Sequence, residues 1–466
     1  MSSVFYPAVR RPFAIPVILG AWAAAIVVAP DVWAKLALVA PPVLVPLALW
    51  TLQAPGRWMA GFIAAALLLP PLPIALGDSG PHVCLLFAGL GLLAGLIGAG
   101  RWHVPATALN YALAALLVLL LASVAPAALH SGGAVAAGSL ARVALFAIAV
   151  YAFFFTAYGP GAASVSFGAI PWLYWTAAAS ALFACVDFYF QFPAPAGFGA
   201  QFIWLDSGVY RRAQGVFYDA GTLGNFCAFF LVMIAVALAQ PTGRKPVSRK
   251  ALALGGAVFL AALILSYSRS SVLNVLAALV ALAWLHRKRL RVVRSIATLM
   301  AAVGLGALLT WKLFPQFFEV YWQRISGSAE FFFAYPEAVL SGRLASWQTL
   351  VSWISAHPWQ ALMGIGYKTL PYTDYLGAPV VGDNMYLSLL VETGVLGLAA
   401  LLWLNVAILR RAARAARAAD SRAAFFGAWM LCFWCGQMVQ MLSVDLLTFW
   451  RVLPLYFWVL ALAIRA

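Results

Sequence analysis

The stretch Val380–Leu398, VVGDNMYLSLLVETGVLGL, decides the fold. It is apolar enough to belong in a bilayer. Yet Asp383 and Asn384 stand at its mouth, and Glu392 lies about nine residues further in, roughly 13 Å along a helix that rises 1.5 Å per residue. The chain is short of carboxylates, so their placement here calls for a reason.

The rest of the sequence agrees with a bilayer. Of 466 residues, 65% are hydrophobic and 9% charged, and mean hydropathy is +0.95. An ordinary soluble chain is about 45–50% apolar and about 25% charged. The composition therefore indicates an all-α polytopic membrane protein. Apolar segments are expected at 13–30, 34–51, 57–76, 81–99, 104–126, 136–158, 168–191, 221–240, 251–268, 270–285, 295–314, 384–409, 423–444 and 449–464. Some, such as LLLPPLPIAL, are short or broken by proline, so twelve to fourteen transmembrane helices is the expected range. Arg10 and Arg11 precede an apolar run with no small-residue cleavage site, which reads as a retained first helix. Cys432 and Cys435 have CxxC spacing, but their surroundings, MLCFWCGQM, read as mid-helix. They are expected to be small apolar residues of a core helix rather than a metal or redox pair.

Net charge is +16. With the N-terminus in the cytoplasm, the inner loops hold 19 of the 29 basic residues, in runs such as GRKPVSRK, HRKRLRVVR and RRAARAARAADSR. The outer side receives twelve of the thirteen acids, Asp420 being the exception. This satisfies the positive-inside rule, so the basic runs are topology signals and no nucleic-acid partner is implied. Both termini fall in the cytoplasm. The chain then divides into N-terminal transmembrane helices at 1–191, central helices with arginine-bearing outer segments at 192–314, a long periplasmic loop at 315–383, and C-terminal helices at 384–466. Within the long loop, SGRLASWQTLVSWISAHP carries Leu344, Trp347, Leu350, Val351 and Ile354 at helical spacing. It predicts an amphipathic helix at the outer interface, with Ser341 as N-cap and His357-Pro358 as the stop.

The outer side also carries cations that oppose the topology rule: Arg142, Arg211, Arg212, Arg269, Arg324, Arg343, Lys368 and Arg451. Pairing with nearby acids is one account of each. The set as a whole favours a phosphate site, because guanidinium presents a planar fork to phosphate oxygens and keeps its charge. Two details support this. The SRSS of residues 268–271 surrounds Arg269 with hydroxyls at a helix start, where free amides also face an anion. The run RRAQGVFYDAGTLGN places Gly215, Gly221 and Gly224 after the arginine pair, which permits close backbone approach. An anion held at the rim of an apolar bundle suggests a polyprenyl-phosphate-like ligand with its chain in lipid.

In order, RRAQGVFYDAGTLGN, SYSRSS, SGRLASWQTL, HPWQALMGIGY and DNMYLSLLVETGVLGL resemble the O-antigen ligase and polymerase superfamily of bacterial envelope enzymes. The likeness covers roughly 205–445 and extends to exopolysaccharide polymerases and protein oligosaccharyltransferases. It implies an inverting, metal-independent glycosyltransferase without cofactor. Such an enzyme moves a glycan from an undecaprenyl-diphosphate donor to a hydroxyl on lipid A-core, another glycan or a protein, at the periplasmic face of the inner membrane. By that resemblance Arg211, Arg212, Arg269 and Arg343 hold the diphosphate; Arg142, outside the resemblance, joins the candidates through its place at the outer end of the sixth segment alone. The family commonly has His before the Asn of its N-x-Y-L run, as the expected base; this chain has Asp383 there. Asp has a reference pKa near 3.9 and is a weak base unless its surroundings change that. A carboxylate at a helix start is equally a cap. His357 is the second candidate base, although His before Pro at a helix end also has a structural reading. Glu392 is expected to pair with a buried polar group. It joins Asn384, Tyr386, Arg324 and Arg451 as supporting residues. The outer loops carry no D-x-D pair of the kind that holds a divalent ion. The competing reading is a transporter or flippase of a lipid-linked glycan, which would spread its charges along a central path.

Overall fold

A computed structural model describes residues 14–54, 56–72, 81–160, 169–195, 198–205, 208–239, 247–287, 308, 311–312, 315–330 and 343–465. The chain is an all-α polytopic membrane protein. Its α-helices in order are α1 (Ala14–Val28), α2 (Val32–Gln53), α3 (Arg57–Leu68), α4 (Cys84–Ile97), α5 (Ala108–Ala122), α6 (Val124–Ser131), α7 (Gly133–Tyr158), α8 (Ala169–Phe190), α9 (Ala220–Ala239), α10 (Arg249–Leu265), α11 (Arg269–Leu285), α12 (Pro315–Glu330), α13 (Arg343–Ala356), α14 (Pro358–Met363), α15 (Met385–Ala416), α16 (Ser421–Gln440) and α17 (Leu453–Arg465). Five spans among the described residues are long and apolar enough to cross a bilayer: Ala108–Ser131, Gly133–Tyr158, Ala169–Phe190, Ala220–Ala239 and Met385–Ala416. Shorter apolar helices accompany them, α11 and α17 included. Large apolar side chains face outward along these helices, with Val118 62% and Val280 70% exposed. Apolar surface displayed on helix after helix needs lipid rather than water around it.

Several boundaries move for clear reasons. The segment expected at 57–76 is helical only to Leu68, because Pro70 and Pro71 supply no backbone N–H to continue it. The segment at 104–126 becomes two helices that meet at Ser123. The segment at 384–409 runs on to Ala416, through the basic run that follows it. The segment at 295–314 and the expected cap Ser341 lie largely or wholly outside the described residues.

The core is built by α3, α5, α7–α11 and α15–α17. At the centre of the contact between α9, α11, α16 and α17, polar side chains replace apolar ones. The Asn225 amide donates to Gln437 Oε1 and Gln440 Oε1 at 2.7 Å each, and Asn274 donates to Gln440 Oε1 at 2.8 Å. Tyr456 donates to Asn225 Oδ1 at 2.6 Å, and Gln440 donates to Ser271 Oγ at 3.0 Å. Such amide bonds fix the register of helices that apolar packing alone would let slide.

A β-hairpin that the hydropathy pattern does not announce joins α8 to α9. Strands β1 (Phe202–Leu205) and β2 (Gly208–Arg211) pair antiparallel, with Phe202 opposite Arg211. Ile203 and Tyr267 pack with Val320 of α12, so the hairpin sits beneath that helix.

Candidate active site

Residues from the 198–222 segment, from 267–273 and 368–388, from 443–451 and from the start of α13 line one cavity of about 1120 Å³. The loop-charge argument assigned all of these segments to the same face. Four elements bring its cations together. Past β2 the extended chain bonds to the end of α10: Ala213 N–H donates to Leu265 O at 2.9 Å, and Arg212 Nε donates to Ser266 O at 2.8 Å. The turn at Ser266–Ser268 then starts α11 with Arg269, so Arg212 and Arg269 are carried on one braced corner. Arg343 opens α13, whose Leu350 packs with Ile365, Leu370 and Val391 and so ties it to α15.

Arg212, Arg269 and Arg343 all line the cavity. They are close enough to feel one another. The Arg212 guanidinium sits below its ordinary value, first through burial; Asp219 opposes this, and the charges of Arg343 and Arg269 add to it. A cluster of like charges in a recess is unfavourable when empty and is relieved by an anion.

Their adjacent neighbour goes elsewhere. Arg211 faces Asp187 of α8, with Nη2 3.5 Å from Oδ1, and does not line the cavity. Successive side chains along an extended chain point to opposite sides, so only one arginine of the RR pair can enter the recess. Arg142, on α7, also lies off the cavity wall. It donates to the Tyr372 hydroxyl at 2.8 Å and stacks over that ring at 4.7 Å from its centre. Arg451 lines the cavity, but its guanidinium donates to Val216 O, Ala66 O and Leu69 O and lies over Phe217. It clasps the end of α3. Arg324 lies in α12, and its side chain is outside what is described.

Asp383 lines the cavity, and Arg343 Nε donates to its Oδ2 at 3.0 Å. It is not the helix cap. Asn384 takes that role, accepting from Tyr386 N and Leu387 N at 3.1 Å each. Tyr386 donates its hydroxyl to Met438 O at 3.0 Å, locking α15 to α16. His357 is away from the cavity. Its Nδ1 is 2.9 Å from Trp353 O, and its ring stacks on Trp353.

Four further charged residues line the cavity: Asp219, Lys368, Glu392 and Asp445. Asp219 caps α9, with Oδ2 accepting from Thr222 N at 2.7 Å and from Thr222 Oγ1 at 2.6 Å. Lys368 is ion-paired with Asp445. Lys368 holds a left-handed backbone at φ 58, a strained conformation for a side chain of its kind. No sequence signal marks that strain. The nearest hint is its place after GIGY.

Gly394, at φ 70 and ψ −175, breaks α15; Gly364, at φ 77 and ψ 171, ends α14. Both occupy a region that essentially only glycine enters. They let two backbones press together: a Cβ at Gly364 would lie 2.4 Å from Glu392 O, and one at Gly394 would lie 2.1 Å from Leu362 O. Across this contact the loop amides of Ile365 and Gly366 donate to Val391 O at 3.1 Å and Glu392 O at 2.8 Å. The broken helix thereby recovers bonds that its own next turn would have made. Glu392, just before the break, is 1% exposed. Its Oε1 accepts from Leu370 N at 3.4 Å, while its Oε2 has no hydrogen-bond partner among the described residues.

The recess therefore offers three arginines to an anion and one half-exposed carboxylate beside them. Residues 254–402 match the family model described as O-antigen ligase, a segment that holds Arg269, Arg343, Lys368, Asp383 and Glu392 but not Arg212. No curated protein matches the sequence. Over this central segment the chain is similar to the O-antigen ligase family.

Proposed function

We propose that the protein is a membrane glycosyltransferase of the O-antigen ligase or polysaccharide polymerase kind. It takes a glycan from an undecaprenyl-diphosphate donor and joins it to a hydroxyl acceptor at the periplasmic face of the bacterial inner membrane. The observation that carries this reading is the meeting of Arg212, Arg269 and Arg343 on one cavity. Their convergence favours a diphosphate site over the dispersed charges of a transport path.

In this reading the three guanidinium groups hold the donor's diphosphate while its polyprenyl tail stays in lipid. Asp383 takes the proton of the acceptor hydroxyl. The hydroxyl oxygen bonds to the anomeric carbon as the bond from that carbon to the phosphate oxygen breaks. The departing electron pair and charge fall on the diphosphate, where Arg212, Arg269 and Arg343 stabilise them. Arg343 is bonded to Asp383. A phosphate oxygen that takes the Arg343 fork releases Asp383 to the acceptor, which couples donor binding to base activation. Attack from the side opposite the leaving group inverts the anomeric centre.

Deletion of the gene, followed by analysis of envelope glycans, tests this directly. Long chains left on the carrier identify a ligase, and single repeat units identify a polymerase. Unchanged envelope glycans and carrier-linked pools would reject both.

A further inference from the structure

Four carboxylates line the cavity: Asp219, Asp383, Glu392 and Asp445. Their free lone pairs separate them. Both oxygens of Asp219 are engaged, Oδ1 by Gln201 Nε2 at 3.1 Å and Oδ2 by Thr222. Both oxygens of Asp445 are engaged, Oδ2 by Lys368 and Oδ1 by Leu447 N at 2.9 Å. Asp383 bonds Arg343 through Oδ2, and with 43% of its side chain exposed, water serves the rest. Glu392 differs from all three. It is buried, its Oε1 accepts a long bond from the Leu370 amide at 3.4 Å, the Lys368 backbone amide also faces the carboxylate, and Oε2 makes no hydrogen bond of good geometry among the described residues. Buried polar groups are nearly always bonded, so an orphan on a cavity wall points to a ligand that completes it.

We propose that Glu392 is a sugar-binding residue, with Oε2 accepting a hydrogen bond from a hydroxyl of the ring carried on the diphosphate. The inference rests on the transfer reading above and deepens it. A carboxylate repels phosphate and accepts hydroxyl, so the ligand at this wall is a neutral polyhydroxyl ring. The diphosphate belongs on the arginine side. The volume of about 1120 Å³ leaves room for both, since pockets for drug-sized ligands run about 300–1,000 Å³. The segment that supplies Asp445 also lines the cavity with Ser443, Thr448 and Trp450, two hydroxyls and an aromatic face suited to a sugar. The site is rigid as well: the bonds from Ile365 and Gly366 fix the backbone at Glu392 against the break at Gly394. Lys368 and Asp445 are the charged groups that face it.

The test uses the full-length protein in detergent, with undecaprenyl diphosphate as one probe. The second probe is the same lipid bearing the glycan that accumulates on it in cells lacking the protein. Glu392→Gln keeps the shape and an oxygen for the Leu370 amide. It should weaken binding of the glycan-bearing lipid about 10-fold or more, the range of a hydrogen bond to a charged group, and change binding of the bare lipid less than about 2-fold. Equal effects on both probes, or none on either, would overturn the inference while leaving the transfer reading intact. A measurement without substitution guards against misfolding. Carbodiimide labelling of Glu392 in the native protein, read by mass spectrometry, should be blocked by the glycan-bearing lipid and not by the bare one. Equal blocking overturns the proposal. A native protein that binds neither lipid overturns the transfer reading itself, and this inference with it.

Discussion

Replacing Arg343 with alanine separates stability from catalysis. The side chain is 26% exposed and its partner Asp383 43% exposed, with Nε and Oδ2 3.0 Å apart. A pair this open to solvent is worth only about 0–1 kcal/mol to the fold. Arg343 also leads α13, but the packing of that helix rests on Leu350 rather than on the arginine. The variant should therefore insert, purify and melt much like the native protein. Its effect on transfer should be far larger. Removing one preorganised donor from a developing anion costs about 2.7–4 kcal/mol of transition-state stabilisation, or roughly 10²–10³ in rate. The assay is glycan transfer in proteoliposomes, with the lipid-linked glycan as donor and melting followed in parallel. Combining Arg343→Ala with Asp383→Asn shows whether the two effects are coupled. Transfer within about 3-fold of the native rate would refute the phosphate role. A melting transition that collapses together with activity would assign Arg343 to folding.

Other expectations follow from the same geometry. Asp383→Ala should abolish turnover with little change in melting, because Asn384 and not Asp383 caps α15; Asp383→His should keep part of the activity, and full activity in the alanine variant would move the base elsewhere. Arg212→Ala and Arg269→Ala should each lower transfer by about 10²-fold or more, whereas Arg142→Ala, off the cavity, should cost under about 10-fold; the reverse order in the same assay would displace the site. Gly364→Ala meets the Glu392 carbonyl at 2.4 Å in a glycine-only conformation, so it should destabilise by about 1–3 kcal/mol or more. An unchanged melting temperature would mean that the loop does not brace the break in α15.

Much of the helical framework was legible because lipid imposes one requirement on every span. A segment must satisfy its own backbone and show apolar side chains, so hydropathy alone locates it. The expected spans 136–158, 168–191 and 221–240 correspond to Gly133–Tyr158, Ala169–Phe190 and Ala220–Ala239. A helix is present in the long loop as Arg343–Ala356, but of its expected apolar stripe Leu350 alone is buried and Val351 is 54% exposed, so it is not sharply two-faced. The hairpin was not legible. Each of its strands has four residues, too few for alternation to stand out from an apolar background.

The candidate site was legible as a set of residue types and not as a set of contacts. Sequence composition determined that arginines gather on one face, that α15 begins at a polar mouth, and that Glu392 lies within apolar surroundings. Tertiary structure alone decided which of two adjacent arginines enters the recess, since that depends on the direction of an extended chain at Arg211 and Arg212. It also decided that Lys368 and Asp445 join the wall and that the Glu392 Oε2 finds no hydrogen-bond partner among the described residues. The backbone at Glu392 is placed by two glycines, Gly364 and Gly394, thirty positions apart, each packed against the backbone next to the other. Hydropathy is a property of each segment by itself, whereas a hydrogen bond across a helix break exists only once two distant segments have met.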